Sequence, residues 1–366
     1  MKTPETPYVL IDMKILKNNI ERMQKSADGF GCALRPHIKT HKSVEIARMQ
    51  IEAGAAGITC AKLSEAEVFA GEGFGDIFIA YPIVGENKIM KAISLAKKIK
   101  RLIVSIDCVE GAEALSYLAE REGMRLETRI ETETGAKRTG APEENLRELG
   151  AELKKLRGIN VTGVFTFRGM RMKSEIASDA SAAGAEEGLL INEAAEIFRG
   201  VGFEIRDVSA GSTPTGLAAA KTGLVNEIRP GTYVFNDLTT MLNGACVEED
   251  VAARVVATVV SVPSPEYAVI DAGSKTLAPD SRVGVPPLMR QGHAYIPGTD
   301  LIVNRLYEEH GIIQKAGGGE TGLFHGETVS LIPAHICPVV NLHDFVFADC
   351  GGELKKIRVD ARGCAR

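Results

Sequence analysis

The sequence predicts an α/β protein, a (β/α)8 barrel of the TIM type followed by an all-β domain. Three observations carry this prediction. Between residues 13 and 245, eight short apolar runs alternate with helix-sized amphipathic segments, as in a parallel sheet built from βα units. From residue 246 the texture changes to β-branched runs punctuated by Gly and Pro, which read as antiparallel strands. No repeat, low-complexity tract or flexible linker separates the halves. Eight strands separated by helices favour a closed barrel, although an open doubly wound sheet would show the same periodicity.

Taken in order, Tyr8-Val9-Leu10-Ile11-Asp12 reads as a strand that completes the second domain, which then comprises residues 246–366 with 1–12. Barrel strands are expected at 32–41, 57–61, 76–82, 101–107, 125–131, 161–167, 204–210 and 225–233. Helices are expected between them, for example at 64–72 and 86–99; the first opens on a Ser64 cap with Glu67 three residues on. The second half begins with strands at 251–262 and 267–273.

Composition excludes several classes. A net charge of −5 gives no footprint for nucleic acid. No apolar run is long enough to span a bilayer, and Met1-Lys2-Thr3-Pro4-Glu5 lacks the order of a secretion signal. Seven scattered cysteines suit a reducing cytoplasm better than a disulfide framework, and Cys32, Cys60, Cys108 and Cys246 are expected to be small core residues.

The most informative run is Arg35-Pro36-His37-Ile38-Lys39-Thr40-His41-Lys42. On a strand, period-two alternation would put His37, Lys39 and His41 on one face. A helical pattern with Val44, Ala47 and Ile51 on one side follows, placing the lysine at a strand end, where a barrel builds its site. A lysine desolvated among cationic groups becomes a usable nucleophile; a solvated basic strand end would carry the same residues. After the seventh expected strand comes Gly211-Ser212-Thr213-Pro214-Thr215-Gly216, and at the eighth Arg229-Pro230-Gly231-Thr232-Tyr233. Gly lets backbone N–H groups approach an anion and hydroxyls add donors. These two loops are the usual phosphate seat of the fold, though ordinary turns use the same residue types. A lysine opposite a phosphate seat suggests pyridoxal phosphate, whose aldehyde would join Lys39.

At these residues the chain resembles the fold-type III pyridoxal phosphate enzymes, in the branch of the D-threonine aldolases and eukaryotic-type D-serine dehydratases, with a barrel similar to that of alanine racemase. The resemblance rests on Arg-Pro-His-x-Lys-x-His-Lys at 35–42, Gly-x-x-Arg-x-Gly from Gly135 to Gly140, the Gly-Ser-Thr-Pro-Thr loop, the Arg-Pro-Gly-x-Tyr run and His-x-Cys at 335–337. It implies that Lys39 holds the cofactor and serves as a base, with His37 among the cofactor's contacts. It places Arg138 near the phenolic oxygen and Gly211, Ser212, Thr213, Gly231, Thr232 and Tyr233 around the phosphate. It also implies a D-amino acid substrate and a homodimer. Lys137 beside Arg138 leaves open a solvated basic turn.

Pro333-Ala334-His335-Ile336-Cys337-Pro338 is the second candidate site. On a strand His335 and Cys337 would face the same way, and imidazole with thiolate suits a borderline-soft divalent ion such as zinc. Two packed core side chains would show the same pattern, and two ligands are fewer than a catalytic zinc usually takes. The resemblance puts its metal pair here. Its aldolases usually have Asp at the second position and its dehydratases Cys, so Cys337 implies a zinc-dependent dehydratase.

The expected activity is thus that of a metal-assisted pyridoxal phosphate lyase acting on a D-3-hydroxy amino acid, with dehydration ahead of retro-aldol cleavage. An amino acid racemase of the alanine racemase type and a non-catalytic pyridoxal phosphate-binding protein are the alternatives; the latter predicts a lone barrel. The run Phe165-Thr166-Phe167-Arg168-Gly169-Met170-Arg171-Met172 lacks the histidine that follows an aromatic and a glycine in the resembled family. Arg168 or Arg171 is a candidate to grip an acidic substrate side chain there, or is exposed.

Overall fold

A computed structural model describes residues 4–172, 175–281, 283–289 and 292–366. The chain divides into two compact units, one made of Met23–Lys39, Ala47–Gly231 and Gly363–Arg366, the other of Met1–Arg22, Thr40–Ile46 and Thr232–Arg362.

The first unit is the expected barrel. Its strands are Ala33–Leu34, Ile58–Cys60, Asp76–Pro82, Arg101–Ile106, Leu126–Glu131, Ile159–Phe165, Asp207–Ala210 and Glu227–Ile228, all in one parallel sheet. The eighth strand pairs with the first, Glu227 opposite Ala33 and Ile228 opposite Leu34. A bridge from His37 to Thr59, with Thr59 N–H donating to the Pro36 carbonyl at 2.8 Å, joins the first strand to the second and closes the ring. The first and eighth strands are far shorter than their apolar runs, because each ends in a 3-10 turn, Ile38–Thr40 and Thr232–Val234. The helix expected from Ser64 begins at Leu63; Glu65, not Glu67, reaches back to accept from Ala61 N–H at 2.6 Å.

Two layers fill the barrel. Phe78, Ile103 and Phe165 form an apolar cluster, the two phenyl rings meeting edge to face at 4.9 Å. Towards the amino ends of the strands the filling is ionic: Glu227 binds Arg35 and Arg129, both buried, while Arg35 also binds Asp76 and Arg129 also binds Asp207. This network closes the amino-terminal mouth with paired charges, Arg129 Nε alone of the two arginines' nitrogens being buried without a hydrogen-bond partner among the described residues, and leaves the carboxyl ends of the strands for function.

In the second unit Ala253–Ser264, Tyr267–Ile270, Gly311–Lys315, Leu301–Leu306, Ala294–Tyr295 and Thr328–Pro333 run antiparallel, and the last returns to pair with the first. Tyr8–Asp12 adds to the outside of Ala253–Ser264 and pairs in parallel with Phe345–Asp349. Cys32 and Cys60 are buried as expected, but Cys108 is exposed and Cys246 only half-buried. No helix among the described residues is long and apolar enough to cross a membrane.

Candidate active site

Neighbouring strands of the barrel deliver the candidate residues in order. The first strand leads to Lys39, the eighth to Gly231, the seventh to Gly211, Ser212 and Thr213, the sixth to Phe167 and the fifth to Arg138. His37 N–H donates to the Pro230 carbonyl at 3.0 Å, so the lysine turn is tied to the Arg-Pro-Gly run.

Lys39 is not on a strand. The 3-10 turn separates the three basic residues that alternation would have aligned. The Lys39 amine lies 5.6 Å from the centre of the Phe167 ring. His41 is instead buried with its ring edge-on to Phe235 and its Nδ1 accepting from Ser43 N–H at 3.0 Å. His37 Nδ1 stands 3.5 Å from Lys39 N.

Arg138 is exposed, and its guanidinium lies 4.8 Å from the centre of the same Phe167 ring. A primary amine and a guanidinium thus share the Phe167 ring, which makes it a candidate site residue that motif reading passed over. The loop that carries Arg138 is folded on itself: Glu133 accepts from Gly135 and Lys137 N–H at 2.6 and 2.9 Å, and Gly140, at φ +110°, packs where a Cβ would sit 2.7 Å from Glu133 N. At the strand end beneath, the buried Glu131 Oε2 and Thr132 Oγ1 have no hydrogen-bond partner among the described residues. Burial pushes the Glu131 carboxyl up, against Thr139 and Arg138.

Gly211 has φ +83°, and a Cβ there would lie 2.4 Å from Gly216 Cα, so only glycine lets the loop close on itself. Ser212 donates to Thr215 Oγ1 through its backbone N–H at 3.0 Å, and Thr215 donates to the buried Glu187 at 3.0 Å. Gly231 ends the barrel unit; Thr232 and the buried Tyr233 belong to the 3-10 turn that opens the next segment. Arg168 is buried, with Nη2 3.2 Å from Glu186 and its backbone N–H bonded to Glu187 at 3.0 Å. Its Nε and Nη1 have no hydrogen-bond partner among the described residues, while Arg171 is half-buried.

The His-x-Cys pair is also not on a strand. The strand ends at Pro333, His335 caps the helix Ile336–Leu342, and Cys337 lies in its first turn. The pair nonetheless interacts. Burial disfavours the imidazolium, but the Cys337 charge and a hydrogen bond to Asp280 hold His335 up at about 11. Burial opposes the thiolate too, yet His335 brings the Cys337 thiol below its ordinary value. Cys337 Sγ also lies 3.3 Å from Thr40 Oγ1 and 3.6 Å from Thr232 Oγ1. The buried Asp237 accepts from Ile336 N–H at 3.1 Å, and Thr239 Oγ1 donates to the Ala334 carbonyl at 2.6 Å. Among the described residues no group of three or more His, Cys, Asp or Glu converges as a metal site.

The fold and the lysine turn define a class, the barrel-type pyridoxal phosphate enzymes. The model of the alanine racemase N-terminal domain matches residues 11–238 and that of a putative serine dehydratase domain matches residues 252–348. D-threo-3-hydroxyaspartate dehydratase from Delftia sp. (strain HT23) is 33% identical over 92% of this chain and 91% of its own length. D-threonine aldolase from Arthrobacter sp. is 29% identical over 99% of this chain, in an alignment covering 94% of the aldolase. The solved structure of the Delftia dehydratase superposes with a TM-score of 0.88 at 31% identity, covering 97% of both chains. Solved variants of such a dehydratase include a histidine-to-alanine mutant and, two positions on, a cysteine-to-alanine mutant in the metal-free form. The chain belongs to the fold-type III pyridoxal phosphate family, in the branch of the D-threonine aldolases and D-serine dehydratases.

Proposed function

We propose that this protein is a pyridoxal phosphate-dependent, zinc-assisted lyase that dehydrates a D-3-hydroxy amino acid. The observation that carries the reading is the interacting His335–Cys337 pair, held in the domain that the serine dehydratase model matches. The residues present fit the cofactor: an amine and a guanidinium share one aromatic ring, and at the end of the strand that leads to Arg138 the buried Glu131 Oε2 and Thr132 Oγ1 have no hydrogen-bond partner among the described residues. They fit the metal as well, since a thiol pressed towards thiolate beside an imidazole is a soft donor pair occupied by a proton.

Lys39 would hold the cofactor, with His37 and Arg138 alongside, and Gly211, Ser212, Thr213, Gly231, Thr232 and Tyr233 would seat its phosphate. When bound, pyridoxal phosphate supplies an electron sink for the α carbon and zinc supplies a Lewis acid for the β-hydroxyl. The Lys39 amine takes the α proton. Phe167 offers an aromatic ring to both cations. His335 and Cys337 would hold the ion in place of the proton they share. Loss of the α proton and the β-hydroxyl releases water, and hydrolysis of the resulting enamine gives an oxo acid and ammonia. Retro-aldol cleavage of the same substrate class is the second reading, favoured by the likeness to D-threonine aldolase. A cytoplasmic homodimer accords with this reading, and the seven cysteines form no disulfide among the described residues.

The test is metal analysis and a visible spectrum of the purified protein, followed by D-serine, D-threonine and D-threo-3-hydroxyaspartate. Near-stoichiometric zinc with ammonia and an oxo acid is expected. Aldehyde with glycine would replace dehydration by aldol cleavage, and cofactor without lyase products would sink the proposal.

A further inference from the structure

We propose that Asp280 is the positioning residue of the metal centre, holding His335 through Nδ1 so that Nε2 is the ring nitrogen presented to the ion. The inference rests on the reading of His335 and Cys337 as metal ligands, and it adds a residue that no motif singles out.

Asp280 Oδ2 lies 2.9 Å from His335 Nδ1, across 55 positions of chain. A ring nitrogen bonded to a carboxylate keeps its proton, so the lone pair that binds a metal resides on the other nitrogen. The same contact makes that nitrogen a stronger donor. The backbone is fixed separately: Thr239 grips the carbonyl before His335 and Asp237 grips the N–H after it. What those bonds leave free is rotation of the imidazole about its side-chain bonds, which its contacts with Asp280 and Cys337 restrict; with Cys337 given over to the ion, Asp280 is the contact that selects one orientation.

The pair is a poor device for stability. The two side chains are 40% and 45% exposed, and ion pairs open to solvent add little to folding. Truncating Asp280 is therefore expected to leave the fold intact.

The experiment uses protein with its cofactor bound, stripped of metal by a chelator and titrated with zinc against a chromophoric competitor. Asp280→Ala is expected to weaken zinc binding by about 10–100-fold. Asp280→Asn keeps an acceptor for Nδ1–H and is expected to fall between Asp280→Ala and the parent, with the cofactor's visible absorbance unchanged in both. Zinc affinity of Asp280→Ala equal to the parent overturns the inference and leaves the metal reading standing. So does an Asp280→Asn variant that binds no tighter than Asp280→Ala. A parent protein that takes up no zinc, or a His335→Ala variant that binds it as tightly as the parent, overturns the metal reading and this inference together.

Discussion

Cys337 Sγ lies 3.3 Å from the hydroxyl of Thr40, the residue that follows Lys39 in the chain. Thr232, whose hydroxyl is 3.6 Å from the same sulfur, follows Gly231. The thiol is thus packed against the hydroxyls of Thr40 and Thr232. Both hydroxyls can donate to a thiolate, and Thr40 is among the groups that bring the Cys337 thiol down. The same neighbours would face a metal-bound sulfur.

Zinc should enter this site by displacing a proton. At neutral pH the His335–Cys337 pair holds one, because His335 is raised to about 11 and the thiol is lowered. A cation that needs a neutral imidazole and a thiolate must expel it. Zinc affinity should therefore rise with pH above the ordinary imidazole range, by about tenfold per pH unit for one proton. Calorimetry in two buffers of different ionisation enthalpy should show close to one proton released per zinc. Release of none would mean that the pair does not bind the ion.

Lys39→Ala should abolish the visible absorbance of the bound cofactor and lower turnover by at least about 10²–10⁴-fold, the scale of a lost general base. The Lys39 side chain is only half-buried on a short turn, so the variant should fold. An unchanged spectrum would remove the cofactor assignment.

Alternating apolar runs and helices were enough to recognise the barrel, since each βα unit must bury one face whatever its loops do. They were not enough at the carboxyl ends, where period-two reasoning carried the strand through Lys39. There the ring's hydrogen bonds run out at His37, and the chain must turn to feed the helix Val44–Glu52. The same error placed Cys337 on a strand. Asp237 was within reach, because Asp-x-x-Thr is a helix-start pattern and Asp237 does cap the helix Leu238–Leu242. Phe167, Glu187 and Asp280 were not, since an aromatic after a strand, a carboxylate inside a helix and one in a loop carry no local signal of the partners that tertiary packing gives them.

The ionic filling of the barrel should be costly to break. Burial disfavours the Glu227 carboxylate, but Arg129 and Arg35 outweigh it and hold its carboxyl far below the ordinary range. Glu227→Gln leaves two buried guanidiniums short of charge and should destabilise by about 3–5 kcal/mol at neutral pH. A depressed carboxyl contributes its stability above the unfolded value, near 4.5, and loses it as pH falls through the folded one. The gap between parent and variant in denaturant titrations should therefore narrow in acid. A gap that stays constant down to pH 3 would show that the lost stability is not electrostatic.

Glu187 offers the last prediction, because it links the loop that carries Phe167 to the loop proposed to seat the phosphate. It lies on the helix Ala180–Gly200, fully buried, and accepts from Arg168 N–H and Thr215 Oγ1, each at 3.0 Å, and from the Gly211 N–H. Burial pushes its carboxyl up and these donors oppose the rise. Glu187→Ala strands the donors, at about 1–3 kcal/mol for each one left buried without a partner. If about 1.4 kcal/mol of that is lost from the order of the Gly211 loop, cofactor binding weakens about tenfold. Equilibrium titration with pyridoxal phosphate, set beside thermal unfolding of the same variant, separates two roles. Weaker binding together with a lower Tm is expected of a residue that shapes the phosphate loop. A lower Tm with undiminished cofactor affinity would make Glu187 a tie between barrel and helix only.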